Sequence, residues 1–408
     1  RGRQVGRHSA PPLLLAALTA ALLLATACIS VAQPSGWAGP VPADGRLVVH
    51  NERDKLAAVD IDSLLVAWEF PGRQKHLGGS KIELQAVYGN PAIGDDTVYF
   101  GAYDGWLYAL DLASGEIKWE VDLGGHLIGG VALAEGFLYV GSSDNRLHAL
   151  DLATQAERWR FEAGDDIWAT PLVEDGVVYV AAMDKKLYAL NAADGSEHWP
   201  KAFSADGGLA TTPVLVDGTL LVGGFDRRLR ALDAASGEEK WSFKADNWFW
   251  ARPLVDGDTV YAGSLDGNVY ALGLADGKRI WSYDLEAPVR AAPVMVGDTL
   301  LVAGRSGRVA GLNPENGELL WALPIEVGKT LLADPLPQGD VVYYSAQGGD
   351  LFKVMPKEGG FVALLLVEPG TPAASPTATP GTPAPGTPTP SPTAAGTAEP
   401  SPTQAATP

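Results

Sequence analysis

Cysteine is almost missing from this chain: Cys28 stands alone among 408 residues, so no disulfide can form within it. Helical patterning is missing too. No stretch of globular-helix length repeats its apolar residues every three to four positions. Basic residues are under-represented, with 30 Lys and Arg against 49 Asp and Glu and a formal net charge of −19. A phosphate-backbone partner needs a basic surface, so nucleic acid is set aside as a ligand. The same charge fits a soluble, self-repelling surface. No glycine-rich phosphate loop with its lysine occurs, no Gly-x-Ser-x-Gly nucleophile elbow, and no His/Cys metal spacing among six scattered histidines. No Asp/Glu/Asn cluster is dense enough for a hard cation. These absences remove the usual reasons to propose an enzyme.

What the chain does contain is a tryptophan that recurs on schedule, at Trp68, Trp119, Trp159, Trp199, Trp241, Trp281 and Trp321. After a first gap of 51 residues the spacings are 40, 40, 42, 40 and 40. A period of this size marks repeated supersecondary units that cannot bury their apolar faces alone. Each unit opens on a run entered by proline, at Pro40, Pro91, Pro171, Pro213, Pro253, Pro293 and Pro335, with Val131 in the third unit. Short β-branched and aromatic runs follow, punctuated by pairs such as Asp175-Gly176 and Asp217-Gly218. Such pairs accept the positive φ of tight hairpins, so the runs read as hairpin-linked strands. Eight units fit between Gly36 and Val367. The expected fold is therefore all-β, an eight-bladed β-propeller of four-stranded blades. The eighth unit is degenerate, with Ala363 at the tryptophan position and its outer strand expected within Phe361 to Val367.

The tryptophan lies in a fixed frame. In Ala109-Leu-Asp111-Leu-Ala-Ser-Gly115-Glu-Ile-Lys-Trp119, alanine, aspartate, glycine and tryptophan occupy positions 1, 3, 7 and 11. Ala231, Asp233, Gly237 and Trp241 repeat it in full. This frame resembles the tryptophan-docking motif of the pyrroloquinoline-quinone (PQQ) repeat family of eight-bladed propellers, across the whole of Gly36 to Val367. The resemblance implies that the seven tryptophans pack between neighbouring blades and have no chemical role. Within that family the chain is similar to the propeller lipoproteins of the outer-membrane β-barrel assembly machinery. That likeness implies a non-catalytic scaffold that presents loops and strand edges to partner proteins of the envelope or cell surface. Quinoprotein dehydrogenases share the repeat and bind PQQ with Ca²⁺ in the channel. Their elaborate insertions and vicinal disulfide have no counterpart here, so no cofactor is expected. A carbohydrate-binding propeller is the other alternative.

The two ends are read as targeting and spacer segments. Arg1, Arg3, Arg7 and His8 precede an apolar stretch, Leu13 to Ala27, too short to span a bilayer. Residues 1–27 read as a signal peptide. Its end, Leu24-Ala-Thr-Ala-Cys28, resembles a lipobox with Cys28 as the lipidated residue. Ala25-Thr-Ala27 also suits ordinary secretion. Residues 28–35 form a short linker. Residues 368–408 are almost wholly Pro, Thr, Ala, Ser and Gly, a composition that cannot bury apolar area. The expected protein is a monomeric propeller outside the cytoplasm, held to a membrane through Cys28.

Positions around each proline separate scaffold from surface. Two residues before it the side chain is always small: Ala38, Gly89, Gly129, Ala169, Thr211, Ala251, Ala291 and Ala333. The residues three before and one before it vary, and strand alternation puts those two on one side. The resulting candidate binding face is Trp37, Tyr88, Trp168, Trp248, Trp250, Arg252 and Arg290, joined by Arg227 and Arg228 from a turn between second and third strands. Aromatics with arginine are the side chains that anchor protein interfaces. The long first connection, Pro71 to Tyr88, is expected on the same face.

Overall fold

The computed structural model describes residues 36–50, 55–324, 329–357, 360–364 and 366. The signal segment, Cys28, the linker and the Pro/Thr-rich tail lie outside the described residues. Within them every sheet is a four-stranded antiparallel meander, and there are eight. Blade 1 comprises β1 (Val41–Ala43), β2 (Arg46–His50), β3 (Leu56–Asp60) and β4 (Val66–Phe70). Blade 2 comprises β5 (Ala92–Gly94), β6 (Thr97–Gly101), β7 (Trp106–Asp111) and β8 (Ile117–Asp122). Blades 3 to 8 follow the same plan over residues 132–162, 172–204, 214–244, 254–284, 294–324 and 336–364. First strands of neighbouring blades approach one another, so they form the inner wall of the ring.

Local chemistry accounts for the hairpins. Asp44 and Gly45 join β1 to β2 with φ of 44° and 74°, the two positive values that a type I′ turn demands. Glu135-Gly136, Asp175-Gly176 and Asp217-Gly218 repeat the device. Second strands are buried on both faces, as in β6, because each blade is covered by a neighbour on either side. This explains their continuous apolar runs without alternation.

Between blades the tryptophans dock as side-chain rivets. The indole Nε1 of Trp68 in blade 1 donates to the carbonyl of Leu112 in blade 2 at 2.8 Å. Trp159, Trp199, Trp241 and Trp281 reach the carbonyls of Ala192, Ala234, Leu274 and Pro314 at 2.8–2.9 Å. The indole also lies on the glycine of the neighbouring motif. A Cβ on Gly115, at φ +71°, would stand 2.5 Å from Cδ2 of Trp68. Glycine is thus required twice, for its backbone angle and for the ring above it. The acceptor carbonyl is often shared. Tyr179 donates its hydroxyl to Ala234 at 3.2 Å beside Trp199, and Tyr139 and Tyr261 do the same at Ala192 and Pro314.

Two tryptophans depart from this pattern. Trp119 and Trp321 make no such bond among the described residues. Blade 3 carries Gln155, at φ 58°, where the docking glycine stands elsewhere. Trp321 instead covers its own blade's Gly311, whose Cβ would lie 2.4 Å from Cε2. In blade 8 the register corrects the expected equivalence. Lys353 takes the place of the motif alanine and pairs with Val362, not with Ala363. Six other blades carry a one-residue bulge between third and fourth strands, while blade 8 pairs without one. Losing the bulge shifts every later residue by one.

The ring closes by packing. Blade 1 is built wholly from the N-terminal side of the ring and blade 8 wholly from the C-terminal side. They meet through Leu47, Val49, Ala57 and Val59 against Tyr343 and Leu351. Gly39 completes the inner wall, since a Cβ there would stand 2.7 Å from the Asp334 carbonyl oxygen.

Because Trp241 is buried and fixes two blades at once, Trp241→Ala is expected to cost about 3–5 kcal/mol. Thermal melting checks this, and a curve superimposable on the wild type would refute the docking role.

Candidate functional site

The inner strands leave a cavity at one mouth of the channel. Its volume is about 120 Å³, and Trp37, Tyr88, Trp168, Trp250, Arg252 and Arg290 all line it. The wall is completed by other residues from the same two variable positions: Asn90, Ile128, Thr170, Ala210, Thr212, Leu332 and Asp334. The small residues between them are forced by crowding. A Cβ on Gly89 would lie 2.2 Å from the Gly129 backbone. Thr211, the largest of that set, keeps its place by directing Oγ1 to the carbonyls of Gly223 and Phe249 at 3.0 and 3.1 Å.

The polar wall groups are tied into the ring. Asn90 Oδ1 accepts from Gly39 N–H at 2.7 Å, and Thr170 Oγ1 accepts from Gly130 N–H at 2.8 Å. Asp334 bridges three blades: one oxygen accepts from Ala292 N–H at 2.8 Å, the other lies 3.4 Å from Nε of Arg252. Trp168 donates its indole N–H to Asp166 at 3.0 Å.

Arg290 is the exception. Its guanidinium carbon lies 4.2 Å from the ring centres of both Trp37 and Trp250. Trp37 packs on Tyr88 at 4.2 Å, and Tyr88 meets Tyr103 edge-on. Trp250 stacks on Phe225 at 5.2 Å. The result is an arc of aromatic rings with one cation at its centre. Nε and Nη2 of Arg290 are sealed from solvent and have no hydrogen-bond partner. Burial, with Arg305 nearby, holds its pKa down at about 10. Each cation–π contact offsets about 0.5–2 kcal/mol. Each unmet buried donor costs about 1–3 kcal/mol, and more when charged. The second effect is the larger, so Arg290 is held at a cost to the fold.

Three sequence candidates lie elsewhere. Trp248 sits five residues before Pro253, where its carbonyl is bonded to Leu265 N–H at 2.9 Å. Its side chain is exposed and stacks on Phe225 at 4.6 Å, outside the cavity. Arg227 is exposed on a turn with φ 68°. Arg228 borders a separate cleft with Phe203 and Arg230 and donates to Ser242 Oγ at 3.1 Å. The turn does belong to the mouth side, since its Phe225 stacks on Trp250, but Arg228 is directed to Ser242 on the outer strand of the blade and neither arginine lines the cavity. The long connection is a further correction. Gln74 exchanges hydrogen bonds with Gly115 and Ile117, and Glu120 takes the Leu77 N–H and the His76 ring. Its first half therefore covers the exposed edge of β8, and only Tyr88 at its end reaches the cavity.

Phe225 and Tyr103 were missed in the sequence. Both immediately precede the aspartate of a turn between second and third strands, and that variable position was the available signal.

Fold and mouth together define a PQQ-type eight-bladed propeller with an aromatic and cationic channel entrance. The chain belongs to the family described as outer membrane protein assembly factor BamB, whose pattern matches residues 16–124, 103–209 and 201–360. Among solved structures it is similar to BamB from Moraxella catarrhalis. The TM-score is 0.65 at 19% identity, covering 77% of this chain and 95% of that one. It is equally similar to the computationally designed Ika8 protein, with TM-score 0.65 and 16% identity over 79% and 96% of the two chains. Comparison with curated protein sequences gives no match.

Replacing Arg290 with methionine keeps most of its length and removes the unmet donors. Arg290→Met is expected to melt at a higher temperature than wild type. A clearly lower melting temperature would show that the two ring contacts outweigh the buried donors.

Proposed function

We propose that this protein is a non-catalytic scaffold outside the cytoplasm that binds partner proteins through the channel mouth. The observation that carries this reading is the arc of aromatic rings around Arg290. Large rigid rings lose little entropy on binding, and arginine supplies directional donors, which is why both types dominate interface energetics. Membership in a family described as an outer membrane protein assembly factor supports the same reading.

The donor set supports a reading without PQQ and Ca²⁺. Calcium takes six to eight oxygen ligands. The cavity offers one carboxylate, Asp334, already engaged by Arg252 and Ala292 N–H. Among the described residues no group of three or more His, Cys, Asp or Glu is placed to hold a metal ion. A cavity of about 120 Å³ is also well below the range of roughly 300–1,000 Å³ for cofactor sites. We further propose that Cys28 carries the lipid that holds the propeller at a membrane.

Two experiments test these proposals. Crosslinking from native envelopes should capture a partner with the wild-type chain and lose it with a folded Trp168→Ala/Trp250→Ala/Arg252→Ala variant; retention would move the binding face off the mouth. Cys28→Ser should release the protein from the membrane fraction, and continued sedimentation with membranes would overturn the lipid anchor.

A further inference from the structure

We propose that the channel mouth holds a segment of this same chain: the Pro/Thr-rich residues 368–408, laid across the mouth in polyproline II form. This occupancy goes beyond the scaffold reading and does not need it. Only its consequence, competition between tail and partner for one surface, rests on that reading.

The first ground is the surface. His126 stacks on Tyr103 at 3.9 Å, Tyr103 meets Tyr88 at 5.5 Å, and Tyr88 packs on Trp37 at 4.2 Å. Arg290 joins this group to Trp250, lying 4.2 Å from both Trp37 and Trp250. Phe225 then stacks on Trp250 at 5.2 Å and on Trp248 at 4.6 Å. The contacts form one unbroken row, and both of its ends, His126 and Trp248, are exposed. Aromatic surfaces of this kind are what polyproline II ligands dock on, because the preformed helix has little entropy to lose. The row runs roughly 30 Å along its course, which about ten residues cover at ~3.1 Å each. A sugar chain also stacks on rings, but its hydroxyls need hydrogen-bonding groups. Here Asn90, Thr170 and Asp334 already accept from N–H groups of the ring. Proline has no N–H and makes no such demand.

The second ground is the sequence of the tail. Its densest part, Thr379 to Thr393, carries Pro380, Pro383, Pro385, Pro388, Pro390 and Pro392. Pro380 and Pro383 stand three apart, as do Pro385 and Pro388. Three residues make one turn of polyproline II, so each pair presents both its rings to one edge. The stretch has no charged residue, so laying it on aromatic rings buries no charge.

The third ground is where the chain leaves the ring. Leu364 ends the fourth strand of blade 8 opposite Leu351, the residue that opens the third. The turn before Leu351 is the counterpart of the Phe225 turn: Gln347 N–H donates to the Thr330 carbonyl as Phe225 N–H donates to that of Gly208. The fourth strand therefore ends on the mouth side. From outer to inner strand a blade measures about 14 Å at ~4.8 Å per interval, a span that about five extended residues cover. Pro380 follows Leu364 by more than that. A segment tethered in this way meets its site at an effective concentration on the order of 1 mM, so contacts too weak to hold a free peptide keep it docked.

The test is paramagnetic broadening in the full chain labelled with ¹⁵N-tryptophan. Cys28→Ser and Thr393→Cys place a single nitroxide in the tail. Trp168→Phe, Trp248→Phe and Trp250→Phe assign the mouth indoles, and Trp199 and Trp241, buried between blades, serve as references. The nitroxide should broaden the mouth indole N–H signals and spare the references. The full-length variant Pro380→Ala/Pro383→Ala/Pro385→Ala/Pro388→Ala keeps the tether and its length, leaves the propeller untouched, and should lose most of that broadening. Broadening that survives the four substitutions reports mere proximity and overturns the proposal, as does its absence in the wild type. If ¹⁴N chains bearing the nitroxide broaden the mouth of ¹⁵N chains that lack it, the occupant is the tail of a second copy, which overturns docking within one chain. Mouth indole shifts with an N-acetylglucosamine tetramer that are equal in the wild type and the four-proline variant would assign the row to a glycan instead. Failure here leaves the scaffold reading standing, because partner capture by the Trp168/Trp250/Arg252 variant tests it separately.

Discussion

An indole seated on a glycine of the next blade is the contact on which this molecule depends. A four-stranded antiparallel sheet with two apolar faces cannot remain in water alone. Here both faces of a blade are covered by neighbours, and the tryptophan sets how closely they approach. Its N–H satisfies a carbonyl at the turn of the adjacent motif, so one side chain supplies burial and a hydrogen bond together. The motif glycine is the counterpart of the ring, and any Cβ there would enter it. Blade spacing is fixed in this way at five of the ring's interfaces, which constrains the diameter of the channel.

The channel mouth follows from that geometry. With the first strands drawn together at the axis, one position per blade must remain small, and Gly89 against Gly129 shows how little space is left. The flanking positions escape this crowding and are free to vary. Most polar groups there are bonded into the wall, as Asn90, Thr170 and Asp334 are. Arg290 is not. A half-buried cation with two sealed, unmet donors is a cost that packing alone does not explain, and proteins carry such costs where a surface has work to do.

Much of this was legible in the chain. The tryptophan period, the Asp-Gly turns and the proline-entered runs specify strand after strand, because each is a local constraint on backbone angle or side-chain period. The shared side of the two variable positions followed from strand alternation, and six of the nine candidates do line one cavity. The failures have a common origin. Trp248 lies in the connection between blades 5 and 6, outside any strand, and Arg228 opens the third strand of blade 5, to which the alternation of the inner positions does not apply. Phe225 and Tyr103 come from turns whose distance to the axis no local rule supplies. The first connection has no periodicity, so its path along the edge of β8 depended on finding Gln74, His76 and Leu77 partners on another blade.

The sequence by itself determined the all-β class, the eightfold repeat and the identity of the side chains that hold blades together. These are properties of short segments: a φ that only certain residues accept, a pattern of two, a spacing near 40. Tertiary structure alone decided how the ring closes, which register the degenerate last blade adopts, and that Arg290 lies against Trp37 and Trp250. Those rings belong to blades 1 and 6, far apart in the chain, and meet a side chain of blade 7 only because the ring is closed. A contact of that kind depends on the sum of every inter-blade rotation, which no window of sequence contains.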